Sequence, residues 1–348
     1  MKRNQDQDTR RADSQLHKRN ELTNMKIVEL DGYAANPGDI SWDAWHNIQA
    51  PDGSICEFIQ YDRTPAEKVI ERAKDAEILI TNKVVFSSAV IEQLPHLRYI
   101  GVLATGYNVV DIEAAHEKGI TVTNIPAYST ASVAQLVMAH LLHITNNVSA
   151  HDTAVHQGQW ASCPDFTFSV SPQLELDNKT FGIIGLGNIG MAVAHIAHAM
   201  GMHILAFTSK EQPQLPPFIR KADTLDELFQ QADVLSLHCP LTPDTHHIVN
   251  TRTLSLMKPT AIIINTGRGP LIDEQALANA LNNNDIYAAG IDVLEEEPPT
   301  NGSPLLTARN CHITPHIAWA SLAARQRLMN TAINNIKAFL KGTPINVV

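Results

Sequence analysis

Three side chains, widely separated in the chain, have the chemistry for work on a carbonyl oxygen. They are Arg268 in Asn265-Thr266-Gly267-Arg268-Gly269, Glu297 before Pro298-Pro299, and His316 in Thr314-Pro315-His316. An arginine can form paired hydrogen bonds with a carboxylate and still touch a carbonyl oxygen. A histidine lends or accepts a proton near neutral pH. A glutamate bonded to the second ring nitrogen would fix the tautomer and favour the charged imidazolium. Together they would hold a 2-oxo acid, polarise its carbonyl and deliver a proton as hydride arrives. Each has a plainer reading alone. Arg268 could pair with a surface carboxylate, Glu297 ends the acidic run Glu295-Glu296-Glu297, and a single histidine is often a satisfied core residue. The joint pattern carries the inference.

Hydride needs a donor, and the chain has a cradle for one. Gly185-Leu186-Gly187-Asn188-Ile189-Gly190 directly follows the apolar run 181–184. Gly185 permits a tight turn, Gly187 lets backbone approach a pyrophosphate, and Gly190 lets the next helix pack on the strand. That helix would present its N–H groups and positive dipole end to the phosphates. At the end of the second strand an acidic residue commonly holds the ribose 2′-hydroxyl of NAD. Here Thr208, Ser209 and Lys210 follow Phe207 instead. Two hydroxyls and a cation suit a 2′-phosphate, so NADP is favoured over NAD.

These groups must be positioned by alternating strands and helices. Strands are expected at 26–30, 55–59, 78–81, 99–103 and 120–123, with helices at 65–74 and 111–118. A long apolar helix is expected over 129–148, with Ser129 and Thr130 as caps. A loop-rich arm, 157–177, carries Trp160, Phe166 and Phe168. Beyond it a βαβ pattern runs through strand 181–185, helix 188–200 and strand 203–207. Strands at 234–238, 261–266 and 288–293 follow, with helices at 225–231 and 273–281 and a last helix over 321–340. Such alternation predicts an α/β fold with parallel sheets. Residues 1–24 are polar, of mixed charge and without apolar periodicity, which predicts a disordered tail; Met25 is an alternative start.

The 348 residues allow two domains, and 44% are apolar. A net charge of −10 argues against a nucleic-acid partner. No apolar run is long enough for a membrane span, and no signal peptide is legible. The four cysteines show no metal-ligand spacing and read as reduced, mostly buried residues of a cytoplasmic protein. The pairs His195/His198 and His246/His247 lack an accompanying ligand pattern and read as solvated or structural, so no metal is expected.

From about Met25 onwards the chain resembles the D-isomer-specific 2-hydroxyacid dehydrogenases. The matching residues are Gly185 to Gly190, Gly201-Met202, His238-Cys239-Pro240-Leu241-Thr242, Asn265 to Asp273, Gly290-Ile291-Asp292-Val293, Glu297-Pro298 and Thr314-Pro315-His316. The resemblance implies two Rossmann-like, doubly wound domains with the active site in the cleft between them. The substrate domain would be 25–124 with 317–348, and the cofactor domain 125–316. It implies that Arg268, Glu297 and His316 are the catalytic residues and that Asp292 contacts the nicotinamide end. Cys239, Pro240, Thr266, Gly267, His316 and Ala318 would be further cofactor contacts. The loop of Ala104, Thr105 and Gly106 looks like the one whose amides hold the substrate carboxylate. A homodimer would form through 129–150 and the 157–177 arm.

Within the family, His316-Ile317-Ala318-Trp319-Ala320 resembles the glycerate dehydrogenase or hydroxypyruvate reductase branch. Trp319 would narrow the pocket for a small, unphosphorylated acid, or else pack an interdomain seam. The expected reaction is hydride transfer between NAD(P)H and hydroxypyruvate or glyoxylate. Two alternatives are a formate- or phosphite-type dehydrogenase, disfavoured because formate dehydrogenases place Gln at Glu297, and a cofactor-sensing corepressor-like protein.

Overall fold

The computed structural model describes residues 25–348; the tail expected at 1–24 lies outside them. The chain forms two units. One holds the described residues up to Tyr128 together with Leu322–Val348, and the other is Ser129–Ser321. Both boundaries fall a few residues beyond those expected. The Ile125 N–H donates to Ala104 at 3.0 Å, and Arg327 Nε donates to the Tyr128 carbonyl at 2.8 Å, which tie 125–128 to the first unit. Ile317 and Ala318 donate their N–H groups to the Asp292 carboxylate at 2.9 and 2.8 Å, which keeps them in the second.

The first unit is a five-stranded sheet of β1 (Lys26–Glu29), β2 (Glu57–Gln60), β3 (Ile78–Thr81), β4 (Tyr99–Val102) and β5 (Thr121–Thr123). The order is β2-β1-β3-β4-β5 and every pair is parallel. Buried on both faces, its strands read as apolar runs such as Ile78-Leu79-Ile80. Helices α1 (Asp43–His46), α2 (Val69–Ala73), α3 (Ser88–Ile91) and α4 (Ile112–Glu117) are short. The expected helix at 65–74 begins as a 3₁₀ turn, Ala66–Lys68, and only then becomes α2. Asp111 caps α4 by accepting from Ala114 N at 3.0 Å, and Gly119 comes after it at φ +70. Expected strand residue Ile55 pairs antiparallel with Gln49 instead, so β2 starts at Glu57. The C-terminal helix, Leu322–Leu340, joins this unit through Asn335 Nδ2, which donates to the Asn124 carbonyl at 3.0 Å.

The second unit is a seven-stranded parallel sheet: β6 (Thr180–Ile184), β7 (His203–Phe207), β8 (Ile219–Lys221), β9 (Val234–Leu237), β10 (Ile262–Asn265), β11 (Ala288–Ile291) and β12 (Cys311–Ile313). The order β12-β11-β10-β9-β6-β7-β8 reverses at β6, the arrangement that opens a ligand crevice at the strand ends. Its helices are α5 (Thr130–Asn146), α6 (Val148–His156), α7 (Asn188–Ala199), α8 (Leu225–Gln231), α9 (Thr251–Leu254) and α10 (Glu274–Asn283). The helix expected at 129–148 is α5, ended by Asn147 in a left-handed conformation (φ 47); α6 follows it directly and was not expected. Ser129 makes no side-chain cap to α5. The edge strand β8 was not legible: three residues, two of them charged, show no strand pattern.

All four cysteines are free thiols; Cys56 is buried and the other three are half-buried. Among the described residues, no helix is long and apolar enough to cross a membrane.

Candidate active site

His316 and Glu297, nineteen residues apart, meet in the second unit: His316 Nδ1 lies 2.6 Å from Glu297 Oε2. With Nδ1 donating to the carboxylate, Nε2 is left to exchange a proton. Both side chains are about a third exposed. Glu297 is held in turn, since its Oε1 accepts the Leu294 N–H at 3.0 Å. His316 sits at φ +53, uncommon for a non-glycine residue. Its N–H donates to the Asp292 carbonyl at 2.8 Å. The Asp292 carboxylate also accepts the Ile317 and Ala318 amides and the Thr314 hydroxyl, the last at 2.6 Å. Asp292 is 1% exposed. A buried carboxylate with three donors pins the turn that aims the imidazole.

Arg268 is exposed at the end of β10 and donates from Nη1 to the Gly267 carbonyl at 2.8 Å. Fully buried Asn265 shapes its turn. Asn265 Oδ1 accepts Gly267 N at 3.0 Å, and its Nδ2 donates to the Arg268 carbonyl at 2.9 Å. A Cβ on Gly269 would fall 2.0 Å from the Leu294 backbone, so the Arg268 segment lies directly against the one leading to Glu297. That close approach is what this glycine provides.

The glycine cradle fits a dinucleotide. Gly185 has φ +91, and a Cβ there would meet Cys239 N at 2.6 Å. A Cβ on Gly190 would lie 2.3 Å from the Gly185 carbonyl oxygen, so α7 packs tightly on β6. A Cβ on Gly187 would meet nothing within 4 Å, so that face of the turn is open to a phosphate. The N-terminus of α7 has no side-chain cap and no acidic residue in its first turn. Its dipole is therefore available to an anion.

A family model described as D-isomer specific 2-hydroxyacid dehydrogenase, NAD binding domain, matches residues 138–318. The chain belongs to the D-isomer-specific 2-hydroxyacid dehydrogenase family. It is an α/β oxidoreductase of the NAD(P)-dependent kind, in the glycerate and hydroxypyruvate branch. It is 50% identical over 327 residues to a hydroxypyruvate reductase from Blautia hydrogenotrophica, covering 93% of this chain and 99% of the relative. It is 39% identical over 295 residues to a glycerate dehydrogenase from Methylorubrum extorquens, covering 84% and 92% of the two chains. Among solved structures it is similar to an NADPH-dependent glyoxylate/hydroxypyruvate reductase from Sinorhizobium meliloti in complex with NADP and malonate. That match has a TM-score of 0.77 at 29% identity, covering 93% of this chain and 96% of the other.

The remaining expected site residues of this family member are divided between the two units. Thr208, Ser209 and Lys210 come directly after β7, with Ser209 and Lys210 exposed. Burial drives the Cys239 thiol up to about 11, which keeps it protonated near neutral pH. Ala318 is buried and Trp319 half-buried. In the first unit, the 104–106 loop is tethered by Thr105 Oγ1, which donates to the Ile125 carbonyl at 2.9 Å, and by Asn124 Nδ2, which donates to the Thr105 carbonyl at 2.7 Å.

Three supporting residues escaped sequence reasoning: Asn265, Thr314 and His140. His140 is 4% exposed on α5, and its Nε2 lies 3.0 Å from Thr314 Oγ1. Burial holds its pKa below the usual histidine value. A histidine set within the apolar run Leu136 to Leu142 of α5 was the available signal. Gly290 completes the packing, since a Cβ there would lie 2.8 Å from His140 Cβ.

Proposed function

We propose that this dehydrogenase reduces hydroxypyruvate or glyoxylate to D-glycerate or glycolate, with NADPH preferred over NADH. The observation that carries the reading is the 2.6 Å His316–Glu297 pair, which leaves Nε2 of an oriented imidazole to give its proton to the substrate oxygen. When bound, the nicotinamide cofactor supplies the hydride that C2 of the acid receives. Arg268, whose guanidinium donates to the Gly267 carbonyl and, among the described residues, to no carboxylate, would hold the 2-oxo acid and polarise its carbonyl. Glu297 would hold the imidazolium before its proton leaves. Ala104, Thr105 and Gly106 remain proposed carboxylate contacts. Trp319 remains the proposed limit on substrate size. The names of the Blautia and Sinorhizobium relatives support the substrate choice.

The NADPH preference rests on the hydroxyls and exposed cation of Thr208, Ser209 and Lys210 after β7. Asp292, Thr266, Gly267, Cys239 and Pro240 are kept as proposed cofactor contacts. A homodimer through 129–150 and 157–177 is supported by exposed Val148, Trp160 and Phe166, the last 89% accessible. Light scattering tests it. The four free thiols suit a cytoplasmic setting.

The experiment is cofactor oxidation with hydroxypyruvate, glyoxylate, pyruvate and 3-phosphohydroxypyruvate, each with NADPH and NADH. Fastest turnover on hydroxypyruvate with NADPH is expected, and Lys210→Ala should narrow the cofactor ratio. A strong NADH preference overturns the cofactor assignment. Bound cofactor without turnover on any acid overturns the reductase reading.

A further inference from the structure

His246 and His247 stand in the loop between β9 and α9, and a metal site needs a third ligand; Asp244, two residues before them, does not gather with the two rings. The fold supplies one from the segment after β11. Glu295 Oε1 lies 3.5 Å from His247 Nε2, and the ligand atoms of His246, His247 and Glu295 all lie within 4.8 Å of one another. Consecutive side chains ordinarily diverge. Here His247 takes φ +50, and the two imidazoles stack with centroids 3.9 Å apart and 27° between their planes. His247 Nε2 is buried without a hydrogen-bond partner among the described residues, and it lies 3.5 Å from Glu295 Oε1 without a hydrogen bond between them. A buried ring nitrogen left unpaired is costly, and a bound ion is one way to satisfy it.

The surroundings favour a cation. Glu295 lines a cavity of about 390 Å³ together with Asp273, Glu274 and Glu296. Such a concentration of carboxylates lowers the cost of bringing positive charge to the rim. Carboxylates alone would suit a hard ion such as Mg²⁺ or Ca²⁺. Two imidazoles with one carboxylate instead match zinc, which commonly takes three protein ligands and a water. Zinc needs its donors at about 2.0–2.2 Å. The three atoms must draw closer, and the exposed side chains of His246 and Glu295 have the freedom to do so.

We infer that His246, His247 and Glu295 form a binding site for a divalent transition metal of the zinc class. The site is separate from the His316–Glu297 pair. It would cross-link the two segments behind that pair. The His247 N–H already donates to the Pro270 carbonyl at 2.9 Å, two residues past Arg268. Glu295 is two residues before Glu297. A metal here therefore braces the loops that carry Arg268 and Glu297, and it does not touch substrate.

The test uses full-length protein, ZnSO₄ calorimetry and Co²⁺ absorption. One Zn²⁺ per chain is expected, together with visible Co²⁺ bands of a low-coordinate nitrogen and oxygen site. Loss of even an outer hydrogen-bond partner weakens metal sites about ten- to a hundredfold, so His246→Ala and Glu295→Gln should each weaken Zn²⁺ at least about tenfold. Both residues are exposed, so neither change threatens folding. His195→Ala and His316→Ala should keep wild-type Zn²⁺ affinity. Zn²⁺ should raise the melting temperature of wild type and not of Glu295→Gln. Unchanged Zn²⁺ affinity in both His246→Ala and Glu295→Gln overturns the site. Loss of binding in His316→Ala instead moves the metal to the catalytic pair and also overturns it.

Discussion

Each unit places its first strand where the strand order reverses, β1 between β2 and β3, and β6 between β9 and β7. The two units differ in the turn just beyond that strand. After β6, the glycines leave the N-terminus of α7 without a cap or an acid. After β1, the chain brings its own anion. Asp31 Oδ1 accepts Asn82 N at 2.8 Å, and Oδ2 accepts Lys83 N at 2.6 Å and Val84 N at 3.2 Å. Backbone amides at parallel strand ends attract negative charge in both units. In one a carboxylate of the chain answers them, and in the other they are left for a phosphate. The same topology therefore says nothing about a ligand until the amide partners are counted.

If the second unit holds the chemistry, His316→Ala should lower kcat by about 10²–10⁴-fold, the usual worth of a general acid, with cofactor affinity and melting temperature unchanged. Near-normal turnover would remove His316 from its role. Two alanines then sharpen the cradle. Gly190→Ala drives a Cβ onto the Gly185 carbonyl and should cost about 2–3 kcal/mol of stability. Gly187→Ala meets nothing and should fold normally, yet weaken cofactor binding in a fluorescence titration. Equal effects of the two on melting would break the distinction between packing and phosphate approach.

The counterpart in the first unit is Asp31→Ala. Three amides lose a charged acceptor, which should cost about 2 kcal/mol in denaturant unfolding. Cofactor affinity should not change, and a loss of affinity would mean that the two strand ends are not functionally separate.

The smallest effects are pH responses of opposite sign. Glu29, fully buried in β1, has one oxygen without a partner among the described residues, and burial with the nearby Asp31 charge holds its pKa well above the usual carboxylate value. Above its ordinary pKa the unfolded chain releases this proton before the folded one does. Stability is therefore lost as pH rises through the folded value. Glu29→Gln should remove that loss at pH 8 and change little at pH 4.5. Burial of the His238 ring lowers its pKa to about 4, although part of the residue reaches the surface. Between 6.5 and about 4 the unfolded chain binds the extra proton, so this contribution is present above 6.5 and fades as pH falls. Allowing for partial exposure, it is on the order of 1–2 kcal/mol. Hydrogen exchange resolved by unit would read the two trends separately, and trends of the same sign would refute the assignment.

Much of this was legible because it is local. Glycine spacing after an apolar run, strands at 78–81 and 203–207, and the helix at 225–231 arise from periodicity and turn chemistry, and the structure keeps those bounds. Elements governed by pairing or by a single backbone twist were not legible. β8 exists because it hydrogen-bonds to β7, and the restart of the chain as α6 turns on one left-handed residue, Asn147.

By itself the sequence determined the alternating α/β pattern, the anion-ready turn after β6 and the residue types able to move a proton. Those are properties of short segments, where side-chain period and backbone freedom act within a few residues. Only the tertiary structure decided that Glu297 reaches His316, that Asp292, Thr314 and His140 stand behind that turn, and that Glu295 faces the paired histidines. Each of these joins groups separated along the chain. Their meeting depends on parallel strands β9, β10, β11 and β12 lying side by side, an arrangement no local pattern encodes.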